Sequence, residues 1–314
     1  MKVFFIAFCL LLSLALQAQP ILPNYQVFWG KTINGWLVIR RWQDPADTTQ
    51  IVYLGLNPVT FRTRPLRGLP VQPLSPMAWH TATAATPYGL ALAAERFRST
   101  PLQDAGLQRA DTNLRGFSLT IDLCPSRKPL DRTFFDRLIA AFDSAERPIP
   151  VAISLTGLWL NTHPADVVYL KQLQYKRKLA ITWVNHTYHH AYKPAAPLTQ
   201  NFILTPGTNP TQEALLAEQA MLARNLMPSP FFRFPGLVSD AAVFNQILSL
   251  GLLPMGSDAW LAKGQRPQSG SWVLIHANGN EPAGLADFFA LIQSKSTQIR
   301  NRQYLLYPLE QGLP

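Results

Sequence analysis

Charge is scarce in this chain: Asp, Glu, Lys and Arg make up 15% of its 314 residues, well under the roughly 25% usual for soluble domains. Together with 47% hydrophobic residues, that poverty excludes intrinsic disorder, which needs little apolar content and much charge. Cysteine is scarcer still. Cys9 and Cys124 are the two present, so no multi-bridge disulfide framework holds the fold. Glycine, at 17, is outnumbered by proline, at 27. Proline fixes φ and ends helices and strands, which favours a loop-rich α/β or β protein over a helical bundle. Beyond the N-terminus no apolar run reaches membrane-spanning length, so no stable membrane insertion is expected. What remains is enough apolar material for one or two packed domains.

Residues 1–18 read as a signal peptide. Lys2 supplies the positive end, Phe4 to Leu16 form an apolar run broken by Ser13, and Leu16-Gln17-Ala18 resembles a cleavage site. An exported protein, periplasmic or secreted, is expected, with Cys124 as its one remaining cysteine. The formal charge of +10 would suit an anionic partner such as a cell-wall polymer, an acidic lipid surface or nucleic acid, but an ordinary solvated surface is the favoured reading. The basic residues are scattered apart from Lys176-Arg177-Lys178, and no nucleic-acid motif accompanies them, so nucleic acid is not an expected partner.

Residues 19–112 form a β-rich N-terminal region of unassigned role. Strand-like runs flank Asn34-Gly35, a hairpin signal, and Gln50 to Leu56 reads as another strand. A proline-rich stretch follows from Arg64 to Pro76, then an alanine-rich segment, Ala82 to Phe97, helical in its second half. The aromatics Phe28, Trp29, Trp36 and Trp42 fit packing better than sugar stacking. Residues 113–314 alternate short apolar runs with amphipathic stretches. Strands are expected at Phe117–Ile121, Val151–Leu155, Leu179–Val184, Phe231–Phe234, Leu252–Met255 and Trp272–Ile275. Helices are expected at Asp131–Phe142, Ala165–Leu173, Pro210–Leu226 and Asp240–Leu250. Asn209 as N-cap, Pro210 at the first helical position and Gln212 mark the clearest start. Strands separated by helices imply crossovers, hence a largely parallel sheet or barrel with its chemistry at the C-terminal strand ends.

The residues suited to catalysis fall at those ends. Asp122 follows Ser118 to Ile121, His186 and His190 follow Ile181 to Asn185, His276 follows Trp272 to Ile275, and Arg233 lies in Phe231-Phe232-Arg233-Phe234-Pro235. An H-x-x-x-H spacing can put two imidazoles on one divalent metal. The same spacing also suits histidines that cap a loop, and a lone Asp after a strand is often a turn residue.

Their joint order resembles the polysaccharide deacetylase family, carbohydrate esterase family 4, also called the NodB-homology domain. Thr120-Ile121-Asp122-Leu123-Cys124-Pro125-Ser126 occupies the frame of the family's T-F-D-D-G-P-S. Asn185-His186-Thr187-Tyr188-His189-His190 matches N-H-[ST]-x-x-H after Thr156-Gly157-Leu158-Trp159, and Phe232-Arg233-Phe234-Pro235 matches F-R-x-P. Asp258-Ala259-Trp260 loosely matches a fourth motif and Leu274-Ile275-His276 the fifth, L-x-H. The resemblance runs from about Leu114 to the C-terminus. It implies a distorted (β/α) barrel and metal-dependent removal of acetyl groups from N-acetylated sugars. Asp122 is then the general base toward the attacking water, His276 the general acid for the leaving amine, and Arg233 the group orienting Asp122. His186 and His190 hold a divalent ion, zinc or similar, and Asp258 sets the tautomer or charge of His276.

Leu123 stands where the family has a metal-ligand aspartate, and an aliphatic side chain binds no cation. Three readings follow: a replacement ligand from His189 or Cys124, a centre of two histidines and water, or a pseudoenzyme that binds glycan without cleaving it. Cys124 itself reads as a small buried residue in a tight turn rather than a redox or nucleophilic centre. His163 reads as a helix-start residue, and His80 has no partner that the sequence identifies. The expected function is an exported deacetylase of an N-acetylated glycan or cell-wall polysaccharide. Its rival is a non-catalytic glycan-binding protein on the same fold.

Overall fold

The computed structural model describes residues 22–110 and 114–313. The expected signal peptide, residues 1–18, and the expected boundary at 112/113 lie outside the described residues.

In the N-terminal region, β1 (Gln26–Thr32) and β2 (Leu37–Gln43) pair across the Asn34-Gly35 turn, where Gly35 takes φ +79°, a left-handed value that costs glycine least. β3 (Ile51–Leu56), β4 (Thr63–Arg67) and β5 (Val71–Pro73) complete an antiparallel sheet ordered β4-β3-β2-β1-β5. The proline-rich stretch thus supplies both edge strands. Pro65 and Pro73 are tolerated there because a sheet edge has one row of N–H groups with no partner strand. Two helices follow, α1 (Pro76–Thr83) and α2 (Pro87–Phe97), each opened by proline behind a capping Ser75 or Thr86. Of these, α1 was not expected from the sequence.

The second part is a curled, wholly parallel sheet built from β6 (Gly116–Leu123), β7 (Ile149–Leu155), β8 (Leu179–Asn185), β9 (Pro228–Arg233), β10 (Leu253–Met255), β11 (Ala259–Trp260), β12 (Trp272–His276) and β13 (Leu305–Leu306). The order is β10-β9-β8-β7-β6-β12-β11, with β13 on the start of β6. Helices α3 (Arg132–Phe142), α4 (Gly157–Thr162), α5 (Pro164–Tyr175), α6 (Pro210–Leu222), α7 (Ala241–Ser249), α8 (Pro282–Ser294) and α9 (Ser296–Arg300) form the connections and the C-terminal cover. This is the expected distorted (β/α) barrel with a smaller β-rich N-terminal region. Asn209 caps α6 by accepting from the Gln212 backbone N at 3.0 Å. Among the described residues no helix is long and apolar enough to cross a membrane.

Alternation along β6 divides its side chains between two environments. Phe117, Leu119, Ile121 and Leu123 join a core cluster with Phe134, Phe135 and Leu138 of α3 and Phe288 of α8. Ser118, Thr120 and Asp122 face the other way, into the barrel. The N-terminal region packs against the barrel. Leu37, Ile39, Trp42, Trp79 and Tyr88 share one apolar cluster with Phe231, Phe244, Leu253 and Trp272. Its last stretch also covers an open part of the barrel sheet: Leu107 N donates to Pro254 O and Trp272 N to Gln108 O, each at 3.0 Å. An uncovered edge would invite pairing with another chain.

Candidate active site

Parallel register delivers the first two groups. His276 is the β12 partner of Asp122 on β6, and Ser154 of β7 is its partner on the other side, all at C-terminal strand ends. Arg233, the last residue of β9, reaches across the barrel. Its Nη1 donates to Asp122 Oδ1 at 3.1 Å and to Thr120 Oγ1 at 2.8 Å, and its Nη2 to Gly256 O at 2.9 Å. Arg233 is wholly buried and Asp122 is 2% exposed. Burial works to raise the Asp122 carboxyl, but the charges of Arg233, His186 and His276 outweigh it and hold the group below the usual carboxylate range.

The H-x-x-x-H segment is a loop, and its shape is enforced. Thr187 and His190 sit at φ +67° and +51°, a region costly for a β-branched residue. Asn185, fully buried at the end of β8, accepts from Thr187 N at 3.0 Å and donates to Ala214 O at 2.9 Å. Glu213 of α6 accepts from the backbone N of Tyr188 at 3.1 Å and of His189 at 2.8 Å. Gly157 lets Tyr188 lie against α4, since a Cβ there would collide with the Tyr188 ring. The result brings the His190 ring back to His186, with centroids 4.9 Å apart.

His186 Nδ1 lies 2.9 Å from the Arg233 carbonyl. A carbonyl only accepts, so Nδ1 carries the hydrogen and Nε2 faces the cleft, 3.7 Å from Asp122 Oδ2 and 3.5 Å from Cys124 Sγ. Burial works against charge on His186, yet Asp122 and Cys124 keep its pKa raised. Donor atoms of Cys124, His186 and His190 all fall within 4.8 Å of one another, and the buried Nε2 of His190 has no hydrogen-bond partner among the described residues. A sulfur and two imidazole nitrogens, one of them without a hydrogen-bond partner, fit a divalent ion of the zinc class. Burial raises the Cys124 thiol, but the neighbouring His190, His276 and His186 rings prevail and hold it well below its ordinary value.

His276 is placed beside Asp122 as expected, but its partner differs. Its Nδ1 lies 2.8 Å from Glu281 Oε2, an oxygen that also accepts from Trp260 Nε1 at 2.7 Å. Asp258 is elsewhere: its carboxylate accepts from Trp272 N and Ser271 Oγ, each at 3.0 Å. It precedes β11, which runs parallel to β12, so it caps the start of that strand while His276 stands at the end. The expected link from Asp258 to His276 is therefore replaced by Glu281. Sequence reasoning missed Glu281 although an acidic residue five positions past a catalytic strand end, just before a proline-led helix, is a usable signal. Burial opposes charge on His276, but Cys124, Glu281 and Asp122 hold its pKa well above the usual imidazole value.

His189 does not join the site; its exposed ring lies 2.6 Å from Glu213 Oε1. Cys124 does join it, and so is not merely a turn residue. His163 precedes α5 as expected, stacked on Trp159. His80 meets Arg96. Leu123, fully buried, lies in the outer core. Leu123→Asp is expected to destabilise the fold by at least about 2 kcal/mol, because it buries a polar group among apolar ones, rather than to rebuild a ligand; chemical denaturation of the variant checks this.

The site opens into a cleft of about 570 Å³ whose wall includes Tyr192, Phe202 and Trp260. Tyr192 stacks on Phe202 with centroids 5.2 Å apart. A larger cavity, about 700 Å³, lies at the N-terminal strand ends; it holds neither the imidazoles nor the buried carboxylate, so size does not locate the chemistry here.

No known protein-family profile matches the sequence. Similar solved structures include a family 4 carbohydrate esterase from Bacillus anthracis, at 15% identity over 67% of this chain and 87% of that one, TM-score 0.47. A family 4 pseudoenzyme from the same organism is similar at 15% identity over 68% and 70%, TM-score 0.44. A peptidoglycan deacetylase from Bacillus subtilis is similar at 13% identity over 63% and 90%, TM-score 0.42. In the order of its motifs and in its fold, this chain is similar to the polysaccharide deacetylases of carbohydrate esterase family 4.

Proposed function

We propose that this protein is an exported hydrolase that removes N-acetyl groups from a polysaccharide or related glycan, with water as the attacking nucleophile. The observation that carries the reading is the placement of a carboxylate and an imidazole side by side at neighbouring strand ends, Asp122 paired in register with His276, the first held by Arg233 Nη1 at 3.1 Å and the second by Glu281 Oε2 at 2.8 Å. Such a pair supplies a base and an acid in one cleft. Asp122 takes the proton of the attacking water, and His276 gives a proton to the departing amine. Arg233 fixes the carboxylate oxygen that does not receive the proton. His186 and His190 would hold a divalent ion, which when bound polarises the acetyl carbonyl. The exposed ring of Tyr192 on the cleft wall suits stacking on a sugar ring, and residues 1–18 support export.

The test is acetate release from N-acetylglucosamine oligomers and peptidoglycan fragments by protein reconstituted with zinc, cobalt or manganese. Release by the wild type, lost in His276→Ala, is the expected result. No release under any of these conditions favours the non-catalytic glycan binder that Leu123 suggests.

Glu281→Gln gives a further expectation in the pH profile. The acid must be protonated, so activity falls as pH rises through the His276 pKa. Glu281 helps hold that pKa up, so its neutralisation moves the basic limb to lower pH while the acidic limb stays in place. A rate profile of the variant against wild type reads this directly.

A further inference from the structure

We infer that Cys124 Sγ, bound as a thiolate, is the third protein ligand of the ion held by His186 and His190, making the centre a Cys-His-His site suited to zinc and other thiophilic ions and ill suited to magnesium or manganese. The inference deepens the proposed function and rests on its metal reading. Position is the first argument. β6 ends at Leu123, whose side chain alternation commits it to the outer core, so a carboxylate at that position is not what the barrel presents. The next residue is free of the strand's alternation, and its backbone is fastened: Asn278 Nδ2 donates to Cys124 O at 2.8 Å, and Thr156 Oγ1 donates to Leu123 O at 3.2 Å.

Distance is the second. Tetrahedral zinc with its usual bond lengths puts neighbouring ligand atoms roughly 3.3–3.8 Å apart. Cys124 Sγ and His186 Nε2 already stand 3.5 Å apart, and the His190 donor lies within 4.8 Å of both. The third argument is what each donor lacks without an ion. His190 Nε2 is buried with no hydrogen-bond partner, and His186 is oriented through its other nitrogen by the Arg233 carbonyl, the arrangement that fixes a metal-binding imidazole. Thiolate and imidazole together select zinc-class ions, whereas magnesium and manganese favour oxygen donors. The thiol proton passes to solvent as the ion binds.

Cobalt(II) reconstitution of the full chain tests this. The expected result is a thiolate-to-cobalt charge-transfer band in the near ultraviolet, absent in Cys124→Ser, whose zinc affinity falls at least about a hundredfold. Cys124→Asp guards against a misfolded serine variant: it should retain a metal, lack the charge-transfer band and shift its preference toward manganese. Absence of the band in the wild type, an unchanged zinc affinity in Cys124→Ser, or failure to bind any ion overturns the assignment. So does a covalent acetyl-thioester on Cys124 after incubation with substrate, the mark of a nucleophile acting with His276 and Glu281. A charge-transfer band without acetate release leaves the ligand assignment standing and removes the deacetylase reading. Acetate release with undiminished zinc affinity in Cys124→Ser does the reverse.

Discussion

Asp122→Asn should yield a folded protein that releases acetate about 10²- to 10⁴-fold more slowly than wild type, the usual span for loss of a positioned general base. The amide keeps an oxygen for the Arg233 Nη1 that now bonds Oδ1 at 3.1 Å, so the contact across the barrel survives in geometry. What is lost is the capacity to take a proton. Circular dichroism and thermal melting of the variant, set beside its rate of acetate release, separate the two effects. Undiminished turnover would remove Asp122 from the reaction. Asp258→Asn is the contrasting control: its carboxylate caps the start of β12, so it should change stability and leave the chemical step alone.

Arg40→Met should destabilise the protein by about 3–5 kcal/mol, because it strands a buried carboxylate without its partner. Arg40 of β2 is fully buried and grips Glu218 of α6 with two bonds, Nε to Oε2 at 2.7 Å and Nη2 to Oε1 at 2.9 Å. Its Nη1 also donates to Ile39 O and Leu250 O, each at 2.8 Å, and Tyr25 adds its hydroxyl to Glu218 at 2.8 Å. The pair thus fastens the N-terminal sheet to the barrel at a place where water cannot replace a missing donor. Urea unfolding reads the loss. The double variant Arg40→Met/Glu218→Leu should recover a large part of it, since replacing both charges by apolar groups removes the stranded carboxylate. A single variant as stable as wild type would mean that the apolar cluster alone holds the two parts together.

Local signals placed most of the frame. The Asn34-Gly35 turn, the cap at Asn209 and the apolar runs of β6, β7, β8 and β12 each have a short-range cause, and each forms where its residues direct. Failures came where a neighbour distant in sequence decides the outcome. Pro65 and Pro73 lie in strands because those strands are edges, which depends on what pairs beyond them. Asp258 and Glu281 are both acidic residues near β12, and only the parallel run of β11 sends the first to the start of the strand and leaves the second for His276. Cys124 reads first as a turn residue, with a ligand role as one alternative beside His189, because its distance from His186 and His190, some sixty positions away, is set only by the fold.

The order of motifs along the chain pointed to the architecture and to Asp122, His276, His186 and His190 as the candidate residues, because strand periodicity and crossover connections indicate which residues stand at C-terminal ends, while the roles expected of them come from the resemblance. Which side chains stand beside His186 and His190, and which carboxylate meets His276, was decided only by the curled parallel sheet. Those choices depend on separations of 3 to 4 Å between residues from different strands, and such distances are set by register and loop strain rather than by any local pattern.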